Sequence, residues 1–456
     1  MRAGDTTLFP TDERSDWVAF EYGAPGPDLL PTQLLAAAAQ HRLSQPDAHT
    51  SLQYGPVLGD LRFRRELAAF LTRQYGRESN PVVAENLCIT NGASQSFSNL
   101  ITLFAGPDTT IYIENPTYFL AIRVLEDHGI PRSDLVAVPV DANGIRVDVL
   151  EQRLQQAKPA KHRQSPEQPA PHPKRFANVL YLVPTYSNPT GATLPLERRR
   201  ALVKLAREHD MLVICDDIYQ MLHFEEPLAE AGSVELPRGS LPPPRIVALD
   251  PALDPESSEF GNIVSNGSFS KLLAPGLRVG WTEAPRGITR QLERSGLMYS
   301  GGCPSHLTST LVLSALELGL VDPHVAMLRR VYAQRCGALC RALAANLPAG
   351  CEFALPSGGF FVWIKVELRP PLSTSDLARF LVESADLAPQ PDGVWAAVPG
   401  AQSPIRAERV SVTPGNAFST NGSHGSWLRL SFAMHNEDRL VEGAMRLCRV
   451  LQQLCE

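Results

Sequence analysis

The chain has 456 residues, 44% of them hydrophobic and 20% charged, with a formal net charge of −6. That length exceeds what one compact core usually organises, so two domains are expected, and the acidic balance without a basic stripe argues against nucleic acid as a partner. No apolar run approaches the ~20 residues that cross a bilayer, and the start MRAGDTTLFPTDERSDW lacks an apolar stretch of the secretory kind, so a cytoplasmic protein with no membrane partner is expected.

In chain order, Asp60 is placed to N-cap a helix whose Phe63, Leu67, Phe70 and Leu71 share one face, with Gly76 ending it. Leu87–Thr90 reads as a strand, followed at once by Asn91-Gly92 and a helix through Leu103. Strand Thr110–Glu114, a helix from Tyr118 to His128 and strand Leu135–Val138 come next. Asn178–Val183 is a strand, Pro195 opens a helix faced by Leu202, Leu205 and Ala206, and Met211–Cys215 is a continuous apolar strand. Ile246–Leu249 and Asn262–Gly267 read as further strands. This alternation predicts an α/β protein with an open, doubly wound, mostly parallel sheet.

Two Pro-rich inserts interrupt the rhythm, at about 158–175 and 225–258, and both are expected to lie on the surface. His162 and His172 fall in the first, but no Cys or carboxylate partners them at ligand spacing, so no metal is expected. The eight cysteines form no CxxC pair, which fits a reduced, intracellular thiol set. From Pro304 the pattern changes to long helices, Pro304–Leu318 and His324–Leu347, then to strands around GGFFVWIKV and Trp427–Phe432. That predicts a second, smaller α/β domain.

Six lysines are present, and only Lys271 follows a predicted central strand, in SNGSFSKLLAPGLRVGW. It would stand at the carboxyl edge of the sheet, where ligands bind in such folds. Ser268, Ser270 and Arg278 surround it with hydroxyls and a guanidinium, groups suited to a phosphate dianion. Ala93 and Ser94, in TNGASQSF, open a helix and offer backbone N–H groups to a second side of the same anion. A Gly-Ala-Ser helix start is also common for purely structural reasons. Asp216 ends an apolar strand, where a carboxylate is costly unless a cation is set against it; a pyridinium nitrogen is such a partner. Its neighbour Asp217 fits an ordinary capping role better. Tyr219 is placed to reach the same side, and Asn188 sits in the turn PTYSNPTG after a strand.

The ordered set YGPVLGDLRFR, NGASQ, ENPTY, SNPTG, CDDIY, SFSKLLAPGLRVGW and RLSF resembles the class I/II aminotransferases, fold type I enzymes of pyridoxal 5′-phosphate (PLP), closest to the 2-aminoadipate, kynurenine and aromatic branch. The resemblance implies that Lys271 holds PLP as a Schiff base and shuttles a proton, and that Asp216 pairs with the ring nitrogen. It implies that Asn188 and Tyr219 bind the phenolic oxygen, that Tyr118 stacks on the ring, and that Ala93, Ser94, Ser268, Ser270 and Arg278 hold the phosphate. Tyr54 would reach the phosphate of the neighbouring subunit in a homodimer, Arg429 would clamp the substrate carboxylate together with Asn188, and Gly23 would line the pocket. Residue 93 is Ala where many relatives carry a hydroxyl. The expected division is an N-terminal segment, 1–50, packing with the small domain, a PLP-binding domain, 51–303, and a C-terminal α/β domain, 304–456. The implied reaction is amino transfer from an L-amino acid (2-aminoadipate, aromatic or branched-chain) to a 2-oxo acid such as 2-oxoglutarate. A C–S β-lyase, or a sensor domain without catalysis, remains an alternative.

Overall fold

The computed structural model describes residues 17–76, 81–156, 174–224, 241–384, 395–396, 405–406 and 408–455. At its centre lies an eight-stranded sheet. The strand order is Leu87–Thr90, Gly280–Glu283, Ile263–Ser268, Met211–Asp216, Asn178–Leu182, Thr110–Asn115, Val136–Asp141, Gly144–Ile145. The five strands from Ile263–Ser268 to Val136–Asp141 run parallel, while Gly280–Glu283 and Gly144–Ile145 are antiparallel to their neighbours.

Why Met211–Cys215 is apolar throughout follows from what covers it. Successive side chains of a strand point to opposite faces. Leu212 and Ile214 join a core with the helix Ala93–Phe104, whereas Val213 and Cys215 join one with the helices Val147–Gln156 and Leu196–Glu208. Both faces are therefore dry, and a run without polar alternation is the only stable choice. The first long helix, Leu61–Tyr75, begins where Asp60 accepts a hydrogen bond from Phe63 N at 3.0 Å and ends at Gly76, φ 80°.

A second, antiparallel sheet contains Glu352–Phe353, Phe361–Lys365, Trp427–Ser431 and Thr413–Pro414 in that order. The helices Val321–Asn346 and Glu437–Leu454 pack on each other beside it. Near the N-terminus, Val18–Ala19 pairs parallel with Val410–Ser411, and Phe20 O accepts from Ser431 N at 2.9 Å. The chain thus has the expected α/β architecture, a large doubly wound sheet with a smaller α/β unit. Among the described residues no single helix is long and apolar enough to cross a membrane.

The second Pro-rich stretch departs from expectation. Ile246–Leu249 is a 3-10 turn and not a strand, and Arg245–Leu253 is largely buried instead of forming a surface excursion. Asp250 is the reason. Its carboxylate accepts hydrogen bonds from Ala252 N, Asn262 N and Ile263 N at 3.0, 2.9 and 3.1 Å, which pins the segment to the start of a central strand. Ile246 and Val247 then fill the core beside the helix Leu196–Glu208. Residues 225–240 and 157–173, with His162 and His172, lie outside the described residues.

Candidate active site

Neighbouring parallel strands deliver the two central groups to one edge of the sheet. Asp216 is the last residue of Met211–Asp216, and Lys271 follows soon after Ile263–Ser268. Burial pushes the Asp216 carboxyl up to about 6, an effect moderated by a hydrogen bond from the Tyr181 hydroxyl to Oδ2 at 2.7 Å and by the charge of Lys271. The other oxygen, Oδ1, is buried without a hydrogen-bond partner. Burial also lowers the Lys271 amine to about 8; Asp216 opposes this and Arg429 and Arg278 reinforce it. Lys271 Nζ donates to the carbonyl of Gly23 and lies 5.7 Å from the centroid of Phe360.

Arg429 comes from the small sheet, on the strand Trp427–Ser431, and is 3% exposed. Its Nη1 donates to Asn188 Oδ1 at 3.1 Å, and Nη2 to Thr413 Oγ1 at 3.2 Å and to the carbonyl of Glu21. The guanidinium rests against Phe361 and Phe418, 4.4 and 4.9 Å from their centroids. Burial lowers its pKa to about 10. Asn188 and Tyr219 are buried at 4% and 3%, and the Tyr219 ring packs on Phe360 and Phe361. Tyr118, at the start of the helix Phe119–Asp127, faces Asp216, Arg429 and Arg278, with its phenol pushed up to about 12, mainly by burial. A Cβ added to Gly23 would come within 2.8 Å of the Phe361 ring, so only glycine leaves this wall clear.

Beside Lys271 is a cradle for an anion. Arg278 Nη1 donates to Ser270 Oγ at 3.4 Å and Nη2 to Asn91 O at 3.1 Å, and Ser268 Oγ donates to Ser270 Oγ at 2.9 Å. Ala93 and Ser94 are the first two residues of their helix, so their N–H groups have no intrahelical acceptor. Gly92, at φ +87°, lets Arg278 approach; a Cβ there would fall 2.6 Å from Nη2. The set fits a phosphorylated ring: an amine, an unpaired carboxylate oxygen for a cationic nitrogen, and hydroxyl, guanidinium and backbone N–H donors for a phosphate. Tyr54 alone among the sequence-predicted residues stands apart. It is 84% exposed and makes none of these contacts.

The family model "Aminotransferase class I and II" matches residues 21–447. The chain belongs to that family. An uncharacterised protein of Saccharomyces cerevisiae is 33% identical over 390 residues, covering 80% of this chain and 85% of the yeast one. The kynurenine aminotransferase of Pyrococcus horikoshii, solved in complex with PMP, KYN and KYA, superposes with a TM-score of 0.73 at 25% identity, covering 96% of this chain and 92% of that one. The α-aminoadipate aminotransferase of Thermus thermophilus, complexed with N-(5′-phosphopyridoxyl)-L-leucine, gives 0.70 at 27% identity, with 96% and 92% covered.

Several residues of this family member's site escape a reading of the sequence. Tyr181 bonds Asp216, Thr413 and the Glu21 carbonyl bond Arg429, and Phe361 and Phe418 flank it. One signal was available for Tyr181. A lone hydroxyl in the buried strand NVLYL must find a partner, and the adjacent strand ends in a carboxylate.

Proposed function

We propose that this protein moves an amino group from an L-amino acid to a 2-oxo acid such as 2-oxoglutarate, using PLP held on Lys271. The observation that carries the reading is the buried, unpaired Oδ1 of Asp216 at the same sheet edge as the Lys271 amine. When bound, PLP supplies an electron sink that makes the α-proton of an amino acid removable.

The side chains then have these roles. Asp216 would pair with the ring nitrogen and favour its protonated form. Asn188, whose Oδ1 is engaged by Arg429, has its amide N–H groups left for the ring oxygen, which Tyr219 also reaches. Tyr118 covers the ring face. Arg278, Ser268, Ser270 and the N–H groups of Ala93 and Ser94 hold the phosphate. Arg429, whose Nε is buried without a partner, would receive the substrate carboxylate through the N–H groups that Asn188, Thr413 and Glu21 leave free, which would fix the α-carbon over Lys271. With its pKa lowered to about 8, Lys271 Nζ is neutral in part near neutrality and can take the proton from that carbon and return it. Gly23 keeps the substrate pocket open against Phe361.

The donor is a bulky L-amino acid of the 2-aminoadipate, aromatic or branched-chain kind, a range supported by the kynurenine and α-aminoadipate enzymes it resembles. We assign the working form as a cytoplasmic homodimer in which the exposed Tyr54 reaches the partner's phosphate site. We assign its domains as 51–303 and 304–456, with the described part of the N-terminal segment, from residue 17, packed on the latter. The test is to titrate purified holoprotein with L-2-aminoadipate and no acceptor. The visible cofactor band should be lost, with one 2-oxo acid released per site. A band unmoved by any amino acid of the three kinds would overturn the donor class, and pyruvate formed catalytically from a cysteine conjugate without acceptor would make the reaction an elimination. Protein that cannot be loaded with PLP would overturn the whole reading.

A further inference from the structure

We propose that Tyr181 is a positioning residue whose hydroxyl keeps the proton shared between Asp216 and the cofactor ring on the ring nitrogen. The inference rests on the pairing of Asp216 with that nitrogen proposed above.

Tyr181 stands on Asn178–Leu182, the strand beside Met211–Asp216, and is 2% exposed. Its ring is held by Phe97, with centroids 4.7 Å apart. Its hydroxyl therefore has a fixed direction, and it donates to Asp216 Oδ2 at 2.7 Å. One consequence is geometric. With Oδ2 engaged, the carboxylate cannot turn freely, and Oδ1 is the oxygen left without a partner. The other is electronic. A donor hydrogen bond stabilises the charged carboxylate and lowers its affinity for a proton.

The surroundings make that second effect matter. The groups that bear on Asp216 are Tyr118, Tyr181, Tyr219, Asp217 and Lys271. Burial and the charge of Asp217 raise the proton affinity of the carboxyl; Tyr181 and Lys271 lower it, Tyr181 the more strongly. Tyr181 itself is held protonated by burial and by Asp216, so it remains a donor across the working pH range. A carboxylate left without this hydrogen bond in so dry a place would compete with the pyridine for the shared proton. The ring would then withdraw fewer electrons from the substrate α-carbon.

The experiment is Tyr181→Phe, loaded with PLP labelled with ¹⁵N in the ring, with Tyr181→Leu as a second variant should the first not fold. Expected is a kcat lower by about ten- to hundredfold with KM changed by no more than about threefold, as befits one hydrogen bond to a charged group. The ¹⁵N resonance should move towards the unprotonated position. A ring nitrogen still protonated, with kcat within about twofold of the parent, would overturn the inference. Asp216→Asn separates this from the reading beneath it. If that variant also keeps the ring protonated and active, the pairing of Asp216 with the nitrogen is wrong; if it fails while the Tyr181 variants do not, only the role of Tyr181 falls.

Discussion

Asp216 and Asp217 are adjacent in sequence, both buried and each left with Oδ1 unpartnered, yet different groups face them. Asp217 accepts a hydrogen bond from Ser265 and lies in the field of Arg245 and Arg199. Those guanidiniums are in turn anchored: Arg199 by the carbonyls of Leu194, Pro184 and Pro244 and by Thr185, and Arg245 by Glu283 and by the face of Tyr75 at 3.9 Å. Asp216 has Tyr181, a weak pull from Lys271, and no guanidinium. The difference is one of charge and not of hydrogen bonding, since Asp217 Oδ1 and the Nε and Nη2 of Arg245 are also left without partners. Behind the sheet edge two guanidiniums act on the carboxylate, whereas at the edge the cation that acts on Asp216 is the Lys271 amine. On the proposed function, the first cluster serves stability and the second a ligand.

Mutations should separate the two. The largest effect is expected at the open end. Lys271→Ala removes the group that moves the proton and the covalent hold on the cofactor, so turnover should fall by about 10⁴-fold and the visible cofactor band should vanish, with thermal stability of the cofactor-free protein kept. Normal transamination by this variant would place the chemistry elsewhere. Behind the edge the effect should be of the other kind. Arg245→Ala leaves Glu283 buried and unpaired and should cost about 3–5 kcal/mol in a denaturant titration. Folded, cofactor-loaded variant should keep most of its turnover. If it lost activity without losing stability, the cluster would belong to the site.

A finer cut distinguishes the two ends of the site itself. Arg429→Lys keeps the charge but loses the planar fork that meets a carboxylate twice. Its loss should raise KM for the amino acid about 10- to 100-fold, equivalent to about 1.5–3 kcal/mol, while PLP affinity stays as it was. An unchanged KM would mean that the substrate carboxylate binds elsewhere. The contacts of Arg429 with Asn188 and Thr413 make the same point, since they join the small sheet to the turn after a central strand.

The legibility of these features in the sequence follows the same division. The parallel sheet could be read from the alternation of strands and helices and from the apolar run Met211–Cys215, and Lys271, Asp216 and the Ser268-to-Arg278 cradle could be read because strand ends are where ligands sit. What a neighbour supplies across the sheet was hidden. Tyr181 looks like one more buried residue until its strand is laid beside Asp216. Arg245 was hidden by composition, since it follows three prolines and the stretch reads as surface. The apolar run Ile246–Leu249 had only four residues, too few for periodicity to tell a strand from a turn of helix. Only the folded chain shows Asp250 drawing that segment inward.

A third buried carboxyl extends the comparison, with the smallest effect expected. Glu114, at 1% exposure, accepts one hydrogen bond from Val183 N at 2.8 Å, and no cation is among the influences on it. Burial raises its pKa from 4.5 to about 8, against the pull of that single hydrogen bond. The folded state therefore holds a proton that the unfolded chain releases between those two values. Stability should fall as pH rises through that window and level off above it. Glu114→Gln keeps an acceptor for Val183 and removes the titration, so the variant should match the parent near pH 4 and exceed it by at least about 1 kcal/mol at pH 9. Parallel denaturant titrations across that range decide it. Profiles that run together would mean that Glu114 is ionised and that a cation reaches it, in which case it would belong with Asp217 and not, as its lone hydrogen bond indicates, in a class of its own.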